Sequence, residues 1–446
     1  MAYLEIFLPI ILLILFLVLL APKNRQLCLP WNWPFVRMMP TMYLKSHEIY
    51  DKITQLLAEN NSTVLFKTSW FTKTDILVTS DPANVHHIMT TNFSIYQRGS
   101  EFRNVFDFLG QAGNQYHESV PKIVHQGLEK SLIAVLDHAA QQNQELDLQS
   151  LFSRFMLDAT CLLATGFDSG SLRVGFSRMP SLRCHGRHSR GRVLSPHPAG
   201  ETVEVAAMAT ATDDQETGDG TFDVLKFYLK EAASNSDNKG AQNHDDKAFL
   251  AANLMTLLFA GRDTSAALLT WFFCLISRNP LVENKILEEI RLNFPGKASR
   301  KHIFSNVEEL SKLVYLHSAL CESLRLFPPG PFLLRVPNQQ DVLPSGHKVD
   351  QTTKVMLCTY AMGRMREIWG KDCAEFRPER WIMEKGGSKH VASNIFLAFS
   401  SGPWSCPGRE LAFTRMKAVA ATVVHNYRVG VVEGKLFVRA SLPFSP

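Results

Sequence analysis

The chain is poor in the features that most quickly betray a function. Its eight cysteines, at positions 28, 161, 184, 274, 321, 358, 373 and 406 of 446 residues, contain no Cys-x-x-Cys and no framework spacing. They read as reduced thiols in a cytosol-facing body rather than as a disulfide scaffold. Charge is equally uninformative: a formal net charge of +5 is too weak to argue for nucleic-acid binding. Carboxylates vanish between Leu172 and Gly200, where six arginines and three histidines gather among prolines and glycines. A solvated basic loop, a disordered insert or translation in a shifted reading frame would each give that composition. Between Leu109 and His125 there is neither tryptophan nor arginine.

What is present is apolar. The chain is 46% hydrophobic and 10% aromatic, enough to bury one large core or two modest ones. Ile6 to Ala21 carries no charge, Tyr3 and Leu4 extend the run, and Lys23 and Arg25 follow it without a small-x-small cleavage pattern. That predicts an uncleaved membrane anchor over 1–21 with the body in the cytosol; a cleaved signal peptide is the alternative. Residues 22–40 include Leu29-Pro-Trp-Asn-Trp-Pro-Phe-Val-Arg-Met-Met-Pro40, a stiff, proline-rich connector with interfacial tryptophans. A helix over 42–59 and strands over 62–71 and 76–79 come next, and helical periodicity dominates thereafter, including 307–326. The class is mostly α with small antiparallel β-sheets.

Three motifs could carry chemistry. The first runs from Phe399 to Ala412, where Gly402, Pro403, Pro407 and Gly408 bracket Cys406 and an apolar helical pattern follows. A cysteine at a helix entry is favoured as thiolate, and a thiolate can ligate iron; a buried structural cysteine is the alternative. The second is Ala260-Gly-Arg-Asp-Thr264, inside a helix over 249–277 that is apolar nearly all round and so central. Ala260 and Gly261 would let a flat ligand approach while Asp263 and Thr264 supply protons, or the small residues simply permit a helix crossing with Thr264 bonded back one turn. The third is Glu322-Ser-Leu-Arg325, an ordinary surface pair or, with Arg380, a buried charge network that fixes the ligand loop.

As an ordered set these motifs resemble the cytochrome P450 family, and Tyr360 to Gly370 and Asp341 to Lys348 resemble its plant branch that hydroxylates fatty acids and alkanes. The resemblance implies the cytochrome P450 fold over 41–446, and haem b held by the Cys406 thiolate, with Gly402, Trp404 and Gly408 beside it. It implies O2 next to Ala260 and Gly261, with Asp263 and Thr264 as catalytic proton donors and Glu322, Arg325 and Arg380 as a structural network. An NADPH-dependent reductase, a long-chain apolar substrate, no nucleic acid, and a single-pass place in the endoplasmic reticulum membrane complete the expectation. Arg409, Arg415 and Lys417 after the cysteine are compatible with docking an acidic reductase, and equally with solvated basic residues on any helix.

The chain departs from that family at Trp404, where a propionate-binding arginine is usual and an indole offers one neutral donor. The stretches around 110–125 and 172–222 and the short end after Tyr427 are altered or incomplete, with Lys122 and Arg335 as possible substitutes for the missing propionate partners. A degenerate or mis-spliced member with impaired haem binding and no catalysis is therefore the alternative to an active monooxygenase.

Overall fold

The structure, a computed structural model, describes residues 49–68, 74–97, 119–174, 244–297, 300–431 and 437–441; side chains of 244–253 and from 431 onward are outside that description. The anchor, the connector, nearly all of 172–222 and the last five residues lie outside the described residues.

Helix α1 (Ile49–Glu59) buries Ile53, Leu56 and Leu57, one stripe at i, i+3 and i+4. It leads into the hairpin β1 (Thr63–Phe66) and β2 (Asp75–Thr79), paired antiparallel from Thr63 opposite Thr79 to Phe66 opposite Ile76. Asp81 caps α2 (Pro82–His86) by accepting the Ala83 N–H, and Pro82 opens it where a missing N–H costs nothing. A π-helical turn over His87–Thr91 and the short β3 (Tyr96–Gln97) follow.

Helical residues 119–127 pass through a second π turn into α3 (Ile133–Gln141), and β4 (Glu145–Asp147) ends in the Asp147 carboxylate, which accepts the N–H groups of Gln149 and Ser150 to start α4 (Leu148–Thr165). The central rod is α5 (His244–Ser277), 34 residues long, followed by α6 (Pro280–Asn293). The periodic stretch over 307–326 is two helices, α7 (Val307–Lys312) and α8 (Val314–Leu326). The break falls at Leu313, and the Glu289 carboxylate from α6 accepts the N–H groups of Tyr315 and Leu316 that the break exposes. Strands β5 (Phe332–Pro337), β6 (Asp341–Val342), β7 (Lys348–Val349) and β8 (Thr353–Cys358) precede short helices α9 (Thr359–Met362) and α10 (Arg366–Trp369). Then come α11 (Arg409–Asn426), β9 (Arg428–Val431) and β10 (Phe437–Ser441).

The larger sheet has the order β1-β2-β8-β5-β3. The expectation of purely antiparallel sheets is corrected at its centre, where β2 and β8 run parallel with Leu77 opposite Val355. Parallel neighbours need a crossover, and here most of the helical body separates the two strands. The other sheets, β4-β10-β9 and β6-β7, are antiparallel. The main apolar cluster joins α4, α5, α8 and α11 through Phe152, Phe155, Leu268, Phe272, Leu316, Leu320 and Val419, and a second cluster sits under β2, β8 and α2. Among the described residues no single helix is long and apolar enough to cross a membrane; Leu254–Ser277 and Pro280–Asn293 meet both conditions only as a pair bent by 106°.

Candidate active site

The cysteine loop is fixed before the helix begins. Cys406 N–H donates to the Phe399 carbonyl at 2.8 Å, Ser405 N–H donates to Gly402 at 3.1 Å, and α11 starts three residues after Cys406. Gly402 has φ of +62°, and a Cβ there would run into the Met89 carbonyl in the turn after α2, so only glycine lets the loop dock on that turn. Cys161, Cys274, Cys321 and Cys358 are buried, whereas the Cys406 side chain is exposed. Burial pushes the thiols of Cys161, Cys321 and Cys358 up to about 12, which keeps them protonated and inert. Gly408 lies beside the Cys406 sulfur: a Cβ there would stand 3.8 Å from Sγ.

Along α5 the neighbours are sealed, with Leu258, Ala266, Leu268, Leu269, Phe272 and Phe273 wholly buried, yet Ala260 and Thr264 are exposed one turn apart on one face. The Thr264 hydroxyl donates back to the Ala260 carbonyl at 2.7 Å. Asp263 Oδ1 lies 3.5 Å from Nε of the buried Arg262. Gly261 faces α4 and α11: a Cβ at this position would meet Thr160 Oγ1 at 2.9 Å and Arg415 Nη1 at 3.6 Å. Its small size therefore serves a helix crossing.

Glu322, Arg325 and Arg380 come together, Glu322 and Arg325 sealed from water and Arg380 mostly so. Glu322 Oε1 accepts from Arg325 Nη2 at 2.7 Å, the Arg377 N–H at 3.0 Å and Arg380 Nε at 3.2 Å. Oε2 accepts from Arg325 Nε at 2.7 Å and Trp381 Nε1 at 2.9 Å. Arg325 also donates to the carbonyls of Gly363, Cys373 and Glu375, and Arg380 to that of Trp369. The network thus clamps 363–381 onto α8. Sequence spacing missed Trp381 as a donor, although its place beside Arg380 was the available signal.

Trp404 packs its ring against the second apolar cluster, so the indole serves that core. Arg335 is 3% exposed on β5, with Nη1 donating to the Leu334 carbonyl at 2.7 Å, and Lys122 is exposed. The expected basic docking patch on α11 is corrected: Arg409 is exposed, but Arg415 is interior and Lys417 donates to the Leu310 carbonyl at 2.9 Å. Six helical positions turn a side chain through about 240°, so Arg409 and Arg415 face different ways. Burial holds the Lys417 ammonium below its ordinary range.

An accessible sulfur donor at a helix entry, a glycine beside it and an open, small-sided stretch on the central helix suit a flat, thiolate-ligated ligand such as haem. The Cytochrome P450 family model matches residues 203–438, a match that begins just after the carboxylate-free stretch. Alkane hydroxylase MAH1 of Arabidopsis thaliana is 37% identical over 452 residues, covering 90% of this chain and 88% of the relative. The chain belongs to the cytochrome P450 family. This P450 is also 33% identical over 485 residues to noroxomaritidine synthase of Narcissus aff. pseudonarcissus MK-2014, covering 97% of this chain and 92% of the relative. Cytochrome P450 86B1 of Arabidopsis thaliana is 31% identical over 459 residues, with 90% and 81% covered. These plant relatives and the family match make it a cytochrome P450 monooxygenase, a family whose members use haem, a redox partner and a small-molecule substrate.

Proposed function

We propose that this P450 hydroxylates a long-chain apolar substrate, a fatty acid or an alkane, using O2 and electrons from an NADPH-dependent reductase. The observation that carries the reading is the exposure of Cys406 at the entry to α11 together with the opening of α5 at Ala260 and Thr264; the likeness to an alkane hydroxylase supports the substrate class. Cys406 would hold the iron as thiolate, and Arg335 would meet a propionate where Trp404 offers no charge. When bound, the haem supplies oxygen activation and the insertion of one oxygen atom into a C–H bond.

The protein's part is position and protons. Ala260 leaves room beside α5, the Thr264 hydroxyl, held by the Ala260 carbonyl, would hand on a proton, and the Asp263 carboxylate, 3.5 Å from Arg262 Nε, would take a proton from water and relay it to Thr264. The network at Glu322 fixes the segment leading to the cysteine loop. Residues 1–21 would anchor the chain in the endoplasmic reticulum membrane, 22–40 would act as connector, and 41–446 would form the catalytic domain facing the cytosol.

The test is to supply microsomes carrying the chain and a reductase with long-chain alkanes and fatty acids, and to look by mass spectrometry for hydroxylated product that requires NADPH. Product from either class supports the reading. A haem-loaded, reducible protein that yields none from either class contradicts it.

A further inference from the structure

We propose that Arg415 is a positioning residue: acting through Thr160, it holds Gly261, and with it the Ala260–Thr264 turn of α5, at a fixed place relative to the helix that follows Cys406. The proposal deepens the haem-thiolate reading and rests on it for its functional meaning.

Arg415 lies on α11, nine positions after Cys406, and is 1% exposed. Its Nη1 donates to Thr160 Oγ1 at 2.8 Å and its Nη2 to the Ala159 carbonyl at 3.2 Å, both on α4. The Thr160 hydroxyl in turn donates to the Met156 carbonyl at 2.6 Å. One donor and one acceptor site are thereby used, which fixes the rotamer of Thr160. Gly261 packs on that fixed side chain, with space for a Cβ closed at 2.9 Å from Oγ1 and 3.1 Å from Cγ2. Three helices meet at this point: the one that follows the thiolate ligand, the one that carries Thr264, and α4 between them.

The geometry converts into position because an α-helix is stiff over a few residues. Ala260 and Thr264 flank Gly261 within little more than one turn, so a shift of the Gly261 backbone moves both. An apolar residue here would only fill space, and sealing a guanidinium in the interior is costly unless its donors are used. The arginine instead supplies two directed bonds to one turn of α4 and reaches Gly261 across it, which an apolar residue could not do.

The experiment is amide hydrogen exchange on the full chain in detergent, with and without haem, comparing residues 256–266 with a control segment, 318–324, on α8. Arg415→Met should speed exchange at 256–266 on the order of tenfold, the scale of a lost hydrogen bond from a charged donor, and leave 318–324 unchanged. Arg415→Gln, which keeps an N–H donor, should restore much of the protection. Gly261→Ala should also speed exchange at 256–266, because the new Cβ would meet Thr160 Oγ1 and Cγ2. Equal acceleration of both segments would mark Arg415 as a merely stabilising residue and overturn the proposal, as would no change at 256–266. Should Arg415→Met fail to fold, Thr160→Val, which keeps the shape and removes the acceptor, gives the same local-against-control comparison. Failure of the wild-type chain to take up haem would count against the proposed function, while the exchange contrast would still decide the Arg415 linkage.

Discussion

Arg325 and Arg415 are both sealed in the interior, at 2% and 1% exposure, but the chain satisfies them differently. Arg325 meets the Glu322 carboxylate through two nitrogens, and that carboxylate accepts three further donors, from Arg377, Arg380 and Trp381. Arg415 donates to a hydroxyl and a carbonyl on a neighbouring helix. The first region is a closed electrostatic knot that ties a long irregular segment to α8. The second is a directed strut between regular helices. A knot fails badly when one member is removed because a charge is left buried, whereas a strut loses only its own bonds.

The largest effect should follow from breaking the knot. Glu322→Ala strands Arg325 and should cost about 3–5 kcal/mol, read as a drop in the denaturation midpoint. If it costs no more than Arg415→Met, the contrast between the two regions is lost. Arg415→Met should cost about 2 kcal/mol, the worth of hydrogen bonds from a charged donor. Trp381→Phe removes one of five donors to Glu322 and should cost about 1 kcal/mol, because the carboxylate keeps the other four; a loss as large as that of Glu322→Ala would make the indole the centre of the knot.

The effect that vanishes at neutral pH, and grows only in acid, is a titration between the two regions. His317 on α8 packs on Phe413 of α11, with Nε2 3.6 Å from Cys321 Sγ, and Nδ1 is buried without a partner. Burial, with Lys417 and Arg409 adding repulsion, pulls it from 6.5 down to about 4. The unfolded chain therefore takes up this proton first, and stability is full above pH 6.5 and falls as the pH drops toward about 4. His317→Gln should make that fall shallower in denaturation experiments; an unchanged slope would assign it to other groups, such as His302 and His425, which burial also lowers.

The sequence made some of this legible and hid the rest for physical reasons. The spacing of Glu322 and Arg325 places them on one helix face, and the apolar run over 249–277 identifies a central helix, since both follow from local periodicity. Periodicity could not show that 307–326 breaks at Leu313, because the groups exposed there are capped by Glu289 from another helix. The parallel pairing of β2 with β8 joins segments nearly 280 positions apart, beyond any local signal. Arg415 was the hardest residue to place. An arginine on a helix is usually exposed, and only the tertiary crossing with α4 shows that this one points inward. Gly261 was legible as a small residue with a purpose, but whether that purpose was a ligand or a helix could be read only from what its missing Cβ would touch.

The central claim is that Cys406 provides a thiolate to haem iron, and carbon monoxide difference spectra of the reduced, haem-supplied protein test it most directly. The account predicts a Soret band of the thiolate-ligated type in the wild-type chain and its disappearance in Cys406→Ser at equal expression. A featureless trace from the wild-type chain, or the same band in Cys406→Ser, would contradict it.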